Sequence, residues 1–194
     1  MEQALILRIR DALETKTKRR VAVAIDGRCG AGKSRLAASL SALFGAPVVH
    51  MDDFFLPDEL RTAQRLAEPG GNVHYERFLR EVAPFLSTGE AFCYGKFDCA
   101  VRRITGEVRV AAGALVLVEG AYALHPLLIE RYDLRAFVTV GEQEQARRIR
   151  ERNGEEMLRR FLTEWIPMEE RYIAANGLPL AGDLVIDTTQ RRDR

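Results

Sequence analysis

The chain has little of what marks several large protein classes. Only three of its 194 residues are cysteine (Cys29, Cys93 and Cys99), and none stands in a C-x-x-C pair. So sparse and odd a count excludes a disulfide scaffold and a cysteine-held zinc, and it fits a reducing compartment. No apolar run approaches the ~18 residues of a membrane span. No basic-then-apolar leader with a cleavage site opens the chain. Neither sign of charge is in excess: 29 Lys and Arg face 28 Asp and Glu, so no global field recruits nucleic acid or a membrane surface. Internal repeats and low-complexity tracts are missing too. What remains is 47% hydrophobic and long enough for one domain with a substantial core, expected in the cytoplasm. Composition leaves homo-oligomers open.

What is present begins with Val21–Leu43. The β-branched run Val21–Ile25 feeds a glycine-rich turn, Gly27-Arg28-Cys29-Gly30-Ala31-Gly32, closed by Lys33 and Ser34 and followed by a helical Leu/Ala pattern. This fits G-x-x-x-x-G-K-[ST], the phosphate-cradling loop. Chance alone gives the pattern in roughly one chain in 150 of this length, and seldom with a strand before it and a helix after it. Glycines let backbone N–H groups turn toward phosphate oxygens, and the helix N-terminus adds a positive dipole end. Lys33 is expected at the β/γ-phosphates and the Ser34 hydroxyl on Mg²⁺.

Upstream, Leu5, Ile6, Ile9, Ala12 and Leu13 share one face of a helix over residues 4–15. The basic run Lys16–Arg20 reads as a solvated coat on its end, with a polyanion site as the sharper alternative. Helix 34–44 stops at Gly45. Val48–Met51 then reads as a short strand running into Asp52-Asp53-Phe54-Phe55. In open α/β sheets ligands bind at the carboxyl edge of the strands. A carboxylate placed there can accept a proton from a substrate hydroxyl or hold a metal-bound water; the bland alternative is an N-cap pair.

Residues 58–68 and 75–86 read as helices on either side of Pro69-Gly70-Gly71, and His74 is either a substrate contact or a solvated loop histidine. Ala91–Cys99 and Glu107–Ala111 read as a hairpin around a turn at Arg102–Gly106. Ala114–Glu119 is an apolar run of the kind buried on both faces of a parallel sheet. The acid at its tip stands where a Mg²⁺-organising carboxylate belongs. After a strand at Arg135–Val140, a helix from Glu142 carries Arg147, Arg148, Arg150 and Arg152, then Asn153-Gly154, then Arg159 and Arg160. That pattern reads as a hinged lid closing over phosphates, or as a solvated helix pairing with Glu142, Glu144, Glu151, Glu155 and Glu156. Phe161, Trp165, Ile166 and Met168 are expected to pack a following helix. Asp183–Asp187 is the last strand, and Arg191–Arg194 a disordered tail.

Taken together, GRCGAGKS, HMDDFFLP, LVLVEGAYAL and RRIRERNG resemble the uridine kinase-like group of P-loop kinases, over about residues 20–188. The resemblance implies a three-layer α/β P-loop NTPase fold with a five-stranded parallel sheet in the order 2-3-1-4-5. It adds a helical lid (about 147–160) and a small β-hairpin within an acceptor-side excursion (about 57–110), all in one domain over residues 1–194. The implied cofactors are ATP and Mg²⁺, and the implied partner is a small-molecule acceptor. Gly27, Cys29, Gly30, Ala31, Gly32, Lys33, Ser34 and Arg35 would hold the nucleotide, with Arg152 or Arg150 facing its phosphates. Asp52 matches the base that takes a proton from the acceptor hydroxyl, alongside Lys33. Ser34, Glu119 and Asp52 would surround the metal. Asp53, Phe55 (where Tyr is usual), His74, Tyr94 and Arg148 fall on the acceptor side.

Two departures bear on the acceptor. Val73 replaces the aspartate that binds ribose hydroxyls in uridine–cytidine kinases, and the base-reading His falls near Cys99. The expected reaction is phosphoryl transfer from ATP to a hydroxyl, with the 5′-hydroxyl of uridine or cytidine as first acceptor. Glycerate, pantothenate, nicotinamide riboside or a sugar are the alternatives within the fold, and a non-catalytic nucleotide-binding regulator is the alternative outside catalysis. No N-K-x-D motif supports a GTPase.

Overall fold

In the computed structural model, residues 2–17 and 19–190 are described. Every position of β1 (Val21–Gly27) is buried. Successive side chains of a strand point to opposite faces, so Val21, Val23 and Ile25 enter one apolar core and Ala22 and Ala24 enter the other. β5 (Leu115–Glu119), which pairs with β1, divides the same way, with Val116 and Val118 facing away from Leu115 and Leu117. A sheet buried on both faces needs a helical layer on each side.

The first helix, α1 (Glu2–Thr15), buries Leu5 and Ile9. The loop after β1 leads into α2 (Lys33–Phe44), which Gly45 ends in a left-handed turn. β2 (Val48–His50) is followed by a 3₁₀ turn at Met51–Phe54. The excursion contains α3 (Ala63–Ala67), α4 (Tyr75–Glu81) and a two-stranded antiparallel hairpin, β3 (Phe92–Asp98) with β4 (Arg103–Val110). β6 (Leu134–Thr139), α5 (Glu142–Arg160), a π-helical turn (Phe161–Trp165), α6 (Ile166–Ala175) and β7 (Leu184–Asp187) complete the order. The main sheet runs β2-β5-β1-β6-β7, all parallel. Counting only its own strands, this is 2-3-1-4-5, as the resemblance implies.

Several expected elements shift. The helix expected over 58–68 is a 3₁₀ turn at Asp58–Leu60 and a short α3 capped by the Thr62 side chain, which accepts from Arg65 N. The helix expected over 75–86 stops at Glu81, and Pro84 sits in a separate 3₁₀ turn, since proline cannot donate to the preceding turn. The hairpin turn falls before Arg103 rather than across Arg102–Gly106, with Arg102 in the left-handed region at φ 52°. Arg103, Ile104 and Gly106 therefore pair with β3, with the register shifting at Thr105.

Arg20 is the largest correction to the basic run. It is fully buried, and its guanidinium donates to the carbonyls of Gly113 (2.9 Å), Phe85 (3.1 Å) and Ala111 (3.0 Å). Lys16 pairs with Asp133, whose other role is to accept from Ala22 N at 2.8 Å. At least these two cations serve the interior rather than a polyanion. Lys18 and Arg191–Arg194 lie outside the described residues.

His125 yields a pH prediction. It is 8% exposed, its ring stacks on Tyr75 at 4.5 Å, and its Nδ1 accepts from Leu127 N. Burial, and then the charge of Arg65, push its pKa down to about 4. The unfolded chain takes up a proton near pH 6.5, the folded chain only near 4, so stability falls as pH drops between those values and levels off below. The loss is at most about 3–4 kcal/mol. Urea midpoints measured from pH 7 to 4 should fall less steeply for His125→Phe than for the wild type; equal slopes would remove His125 as a source.

Candidate functional site

Three strand ends meet at one edge of the sheet. Glu119 closes β5, registered between Ile25 of β1 and His50 of β2. Its Oε2 accepts the Ser34 hydroxyl at 3.1 Å, and its Oε1 lies 2.6 Å from His50 Nδ1. Glu119 is 5% exposed, so these partners hold an otherwise costly buried carboxylate. The hydrogen bond to Glu119, working against burial, raises the His50 pKa and favours imidazolium. His50 carries no motif in the sequence. Its only signal is position: the last residue of a strand whose neighbour ends in an acid.

Beside them runs the loop Gly27–Ser34. The Lys33 ammonium donates to the carbonyls of Gly27 (2.7 Å) and Arg28 (3.0 Å). Gly32 caps α2 at φ 93°, and a Cβ placed on it would meet nothing within 4 Å. The loop thus has an open face flanked by a cation and the start of a helix.

Beneath the loop, fully buried Asp26 accepts from Gly27 N (2.6 Å), Tyr122 N (3.1 Å), Leu124 N (2.8 Å) and Tyr172 OH (2.8 Å). Burial pushes its carboxyl pKa up, against these donors and the charge of Lys33. Asp26 joins the loop to the turn after Glu119, where Tyr122 holds φ 72°. This hub, too, was not anticipated.

The two acids after β2 separate. Asp52 is exposed. Desolvation by the protein packed around it, and then the charge of Glu119, raise its pKa, while Lys33 and His50 pull it down. Asp53, expected on the acceptor side, is buried: its Oδ2 accepts Tyr94 OH at 3.0 Å, and its carbonyl accepts from Arg77. Tyr94 is 2% exposed and packs on Phe54 at 5.1 Å. Both are interior residues beneath Asp52 rather than an open pocket wall.

Phe55 is half-buried and bridges to Val73. Val73 is fully buried, which accounts for an apolar residue where an aspartate was looked for. His74 lines a cavity of about 430 Å³ together with Leu56, Leu60, Thr62 and Arg65. At the hairpin turn, desolvation followed by the charges of Asp52, Asp98 and Asp53 pushes the Cys99 thiol up.

The arginines divide. Arg148, expected to face the acceptor, instead donates to Thr188 O (2.7 Å), Thr188 Oγ1 (3.0 Å) and Gly30 O (3.3 Å), backing the loop. Arg147 pairs with Glu144 and Glu151 and Arg150 with Glu155, as the solvated-helix alternative has it, while Arg160 pairs with Glu164, outside that set. Arg152 is exposed, with its Nε on Asn153 Oδ1 at 2.7 Å, and Arg35 is exposed one residue past Ser34. Gly154 breaks the helical path at φ 82°, where a hinge was expected. The following helix docks through Glu169, Tyr172 and Ile173, while Phe161, Trp165, Ile166 and Met168 are only half-buried.

No protein-family model matches the chain. Solved structures do. A candidate uridine kinase from Bacillus stearothermophilus superposes at TM-score 0.68 with 18% identity, over 95% of this chain and 100% of that one. A candidate fructose transport system kinase from Silicibacter sp. TM1040 gives 0.69 and 24%, over 95% and 98%. A circularly permuted candidate P-loop kinase from Saccharomyces cerevisiae gives 0.71 and 12%, over 100% and 98%. The chain has the P-loop kinase fold. Among the described residues no helix is long and apolar enough to cross a membrane.

Proposed function

We propose that this chain is an ATP-dependent kinase that phosphorylates a hydroxyl of a small metabolite. The observation that carries the reading is the meeting of Lys33, Ser34, Glu119 and Asp52 at the carboxyl ends of adjacent strands, with Ser34 and Glu119 bonded at 3.1 Å. A site built only to bind nucleotide has no use for a second carboxylate, exposed Asp52, beside the buried Glu119.

The donor set suits Mg²⁺, a hard cation that takes one or two protein oxygens and fills its shell with water and phosphate. Ser34 Oγ and the Glu119 carboxylate are such oxygens, and among the described residues no larger His/Cys/Asp/Glu cage competes with them. Mg²⁺–ATP, when bound, supplies the transferable phosphoryl group. Lys33 offsets negative charge on that group, and the open face at Gly32 gives its oxygens backbone donors. An Asp52 carboxylate oxygen orients the acceptor hydroxyl and takes its proton. Its pKa, raised by desolvation and the charge of Glu119, makes it a better base. The kinked segment after Gly154, as a lid, excludes water from the cleft. The acceptor side comprises the excursion over about residues 57–110, and the chain acts as one kinase domain.

A pyrimidine nucleoside is the first acceptor to try, on the motif resemblance and the likeness to a candidate uridine kinase. Buried Val73 favours the second reading, an acceptor other than a nucleoside. A site lacking the partner for a ribose hydroxyl loses large factors in selectivity for it. The deciding experiment is ADP release measured across nucleosides, sugars and sugar acids. Stimulation by one hydroxyl acceptor is the expected result. ATP binding without stimulation by any of them would sink the kinase reading and leave a nucleotide-binding regulator.

A further inference from the structure

α6 grips the loop at successive points. Tyr172 reaches Asp26, Glu170 holds the Arg28 guanidinium through two bonds of 2.7 and 2.9 Å, and Glu169 Oε2 accepts Cys29 N–H at 2.9 Å. From the opposite side, Gln145 of α5 donates to the Cys29 carbonyl at 2.9 Å. Residues 28 and 29 are therefore held by α6 and by the part of α5 before its Gly154 kink, on either side of the kink and the π-helical turn. π-turns set between helices are frequent at functional sites.

Glu170 has an evident structural task, a bidentate ion pair. Glu169 is different. It is 7% exposed, and among the described residues its hydrogen-bond donors are the Cys29 backbone N–H and the thiol beside it, with the Arg28 charge, itself held by Glu170, as the nearby cation. A buried carboxylate is stable only when several donors or a cation satisfy it. The donor it has belongs to a loop whose N–H groups are the kind that turn toward phosphate oxygens. One amide hydrogen cannot serve a carboxylate and a phosphate oxygen together, and two anions at one donor repel strongly where water is excluded.

Resting on the reading of Gly27–Ser34 as a phosphate cradle, we infer that Glu169 is a built-in competing anion, a positioning residue that holds Cys29 N–H until a linear polyphosphate takes it. The ligand class is set by the loop: the phosphate chain of a nucleoside triphosphate, or inorganic tripolyphosphate. Because α6 follows directly on residues 150–165, release of Glu169 also frees one anchor of that segment. Phosphate entry and movement of the segment are thereby coupled.

Calorimetric titration with inorganic tripolyphosphate tests this without requiring turnover. Glu169→Gln removes the charge and should bind the probe about tenfold more tightly. Glu169→Asp keeps the charge and should remain within about threefold of the wild type. A purely structural glutamate would give the opposite result, with Gln weakening binding. Unchanged or weaker binding by Glu169→Gln overturns the inference. If that variant does not fold, the wild-type amide resonances decide. The Cys29 N–H must shift with tripolyphosphate along with those of Gly32 and Lys33; a Cys29 signal that stays put while the others move overturns the inference. If no loop amide moves and no heat is released, the cradle reading itself fails and takes this one with it.

Discussion

Asp52→Asn is expected to lower acceptor-dependent turnover by roughly 10²–10⁴-fold, the usual contribution of a positioned general base. ATP affinity should stay close to that of the wild type. The substitution is nearly isosteric and removes a charge that Glu119 already opposes, so fold and metal shell should survive. Asp53 cannot take over as base, because its Oδ2 is committed to Tyr94 OH and the side chain is buried. Steady-state kinetics beside ATP calorimetry separate the terms: the loss should fall on kcat, with the nucleotide Kd retained. A variant with near wild-type kcat would remove Asp52 from the chemistry.

Gly27→Ala should damage the fold more than any other single methyl group added to the loop. Gly27 holds φ 134°, and a Cβ there would lie 1.9 Å from the Val138 carbonyl oxygen, a backbone atom of the neighbouring strand. That carbonyl also accepts Arg28 N at 3.1 Å, so it cannot move without breaking the junction of β1 with the loop. The cost is expected above about 4 kcal/mol, a fall of roughly 10–20 °C in Tm for a chain of this size, or loss of soluble protein. Gly32→Ala is the control. Its Cβ meets nothing within 4 Å, so the cost reduces to backbone strain of about 1–2 kcal/mol. It should fold and lose phosphate affinity instead. A Gly27→Ala Tm within about 3 °C of the wild type would contradict the geometry.

The parts of this molecule that could be read from sequence are those fixed by neighbours in the chain. β1 and β5 stood out because strands buried on both faces read as unbroken apolar runs. The loop stood out because its glycines, Lys33 and Ser34 are contiguous, and Glu119 because an acid at such a strand tip is rarely incidental. What escaped is set by contacts across long separations. Glu169 reaches Cys29 over 140 positions, and Asp26 reaches Leu124 over 98. Arg20 lay in a run whose composition said surface, and Arg148 lay on a helix whose charge pattern said lid. In each case the carbonyls these arginines meet belong to distant elements, and no local periodicity reports them.

The hairpin β3–β4 forms a sheet of its own, and by topology it is an appendage. Arg20 makes it something else. Its three carbonyl partners lie just before the hairpin and just after it, while Arg20 itself leads into the central strand. Replacing residues 91–112 with a short linker would strip away the Ala111 carbonyl and reposition its neighbours, leaving a guanidinium sealed in the interior with donors to spare. The hairpin is therefore not a cassette that can be trimmed or exchanged between scaffolds at will. Any graft must bring its own acceptors for Arg20, or replace that arginine at the same time.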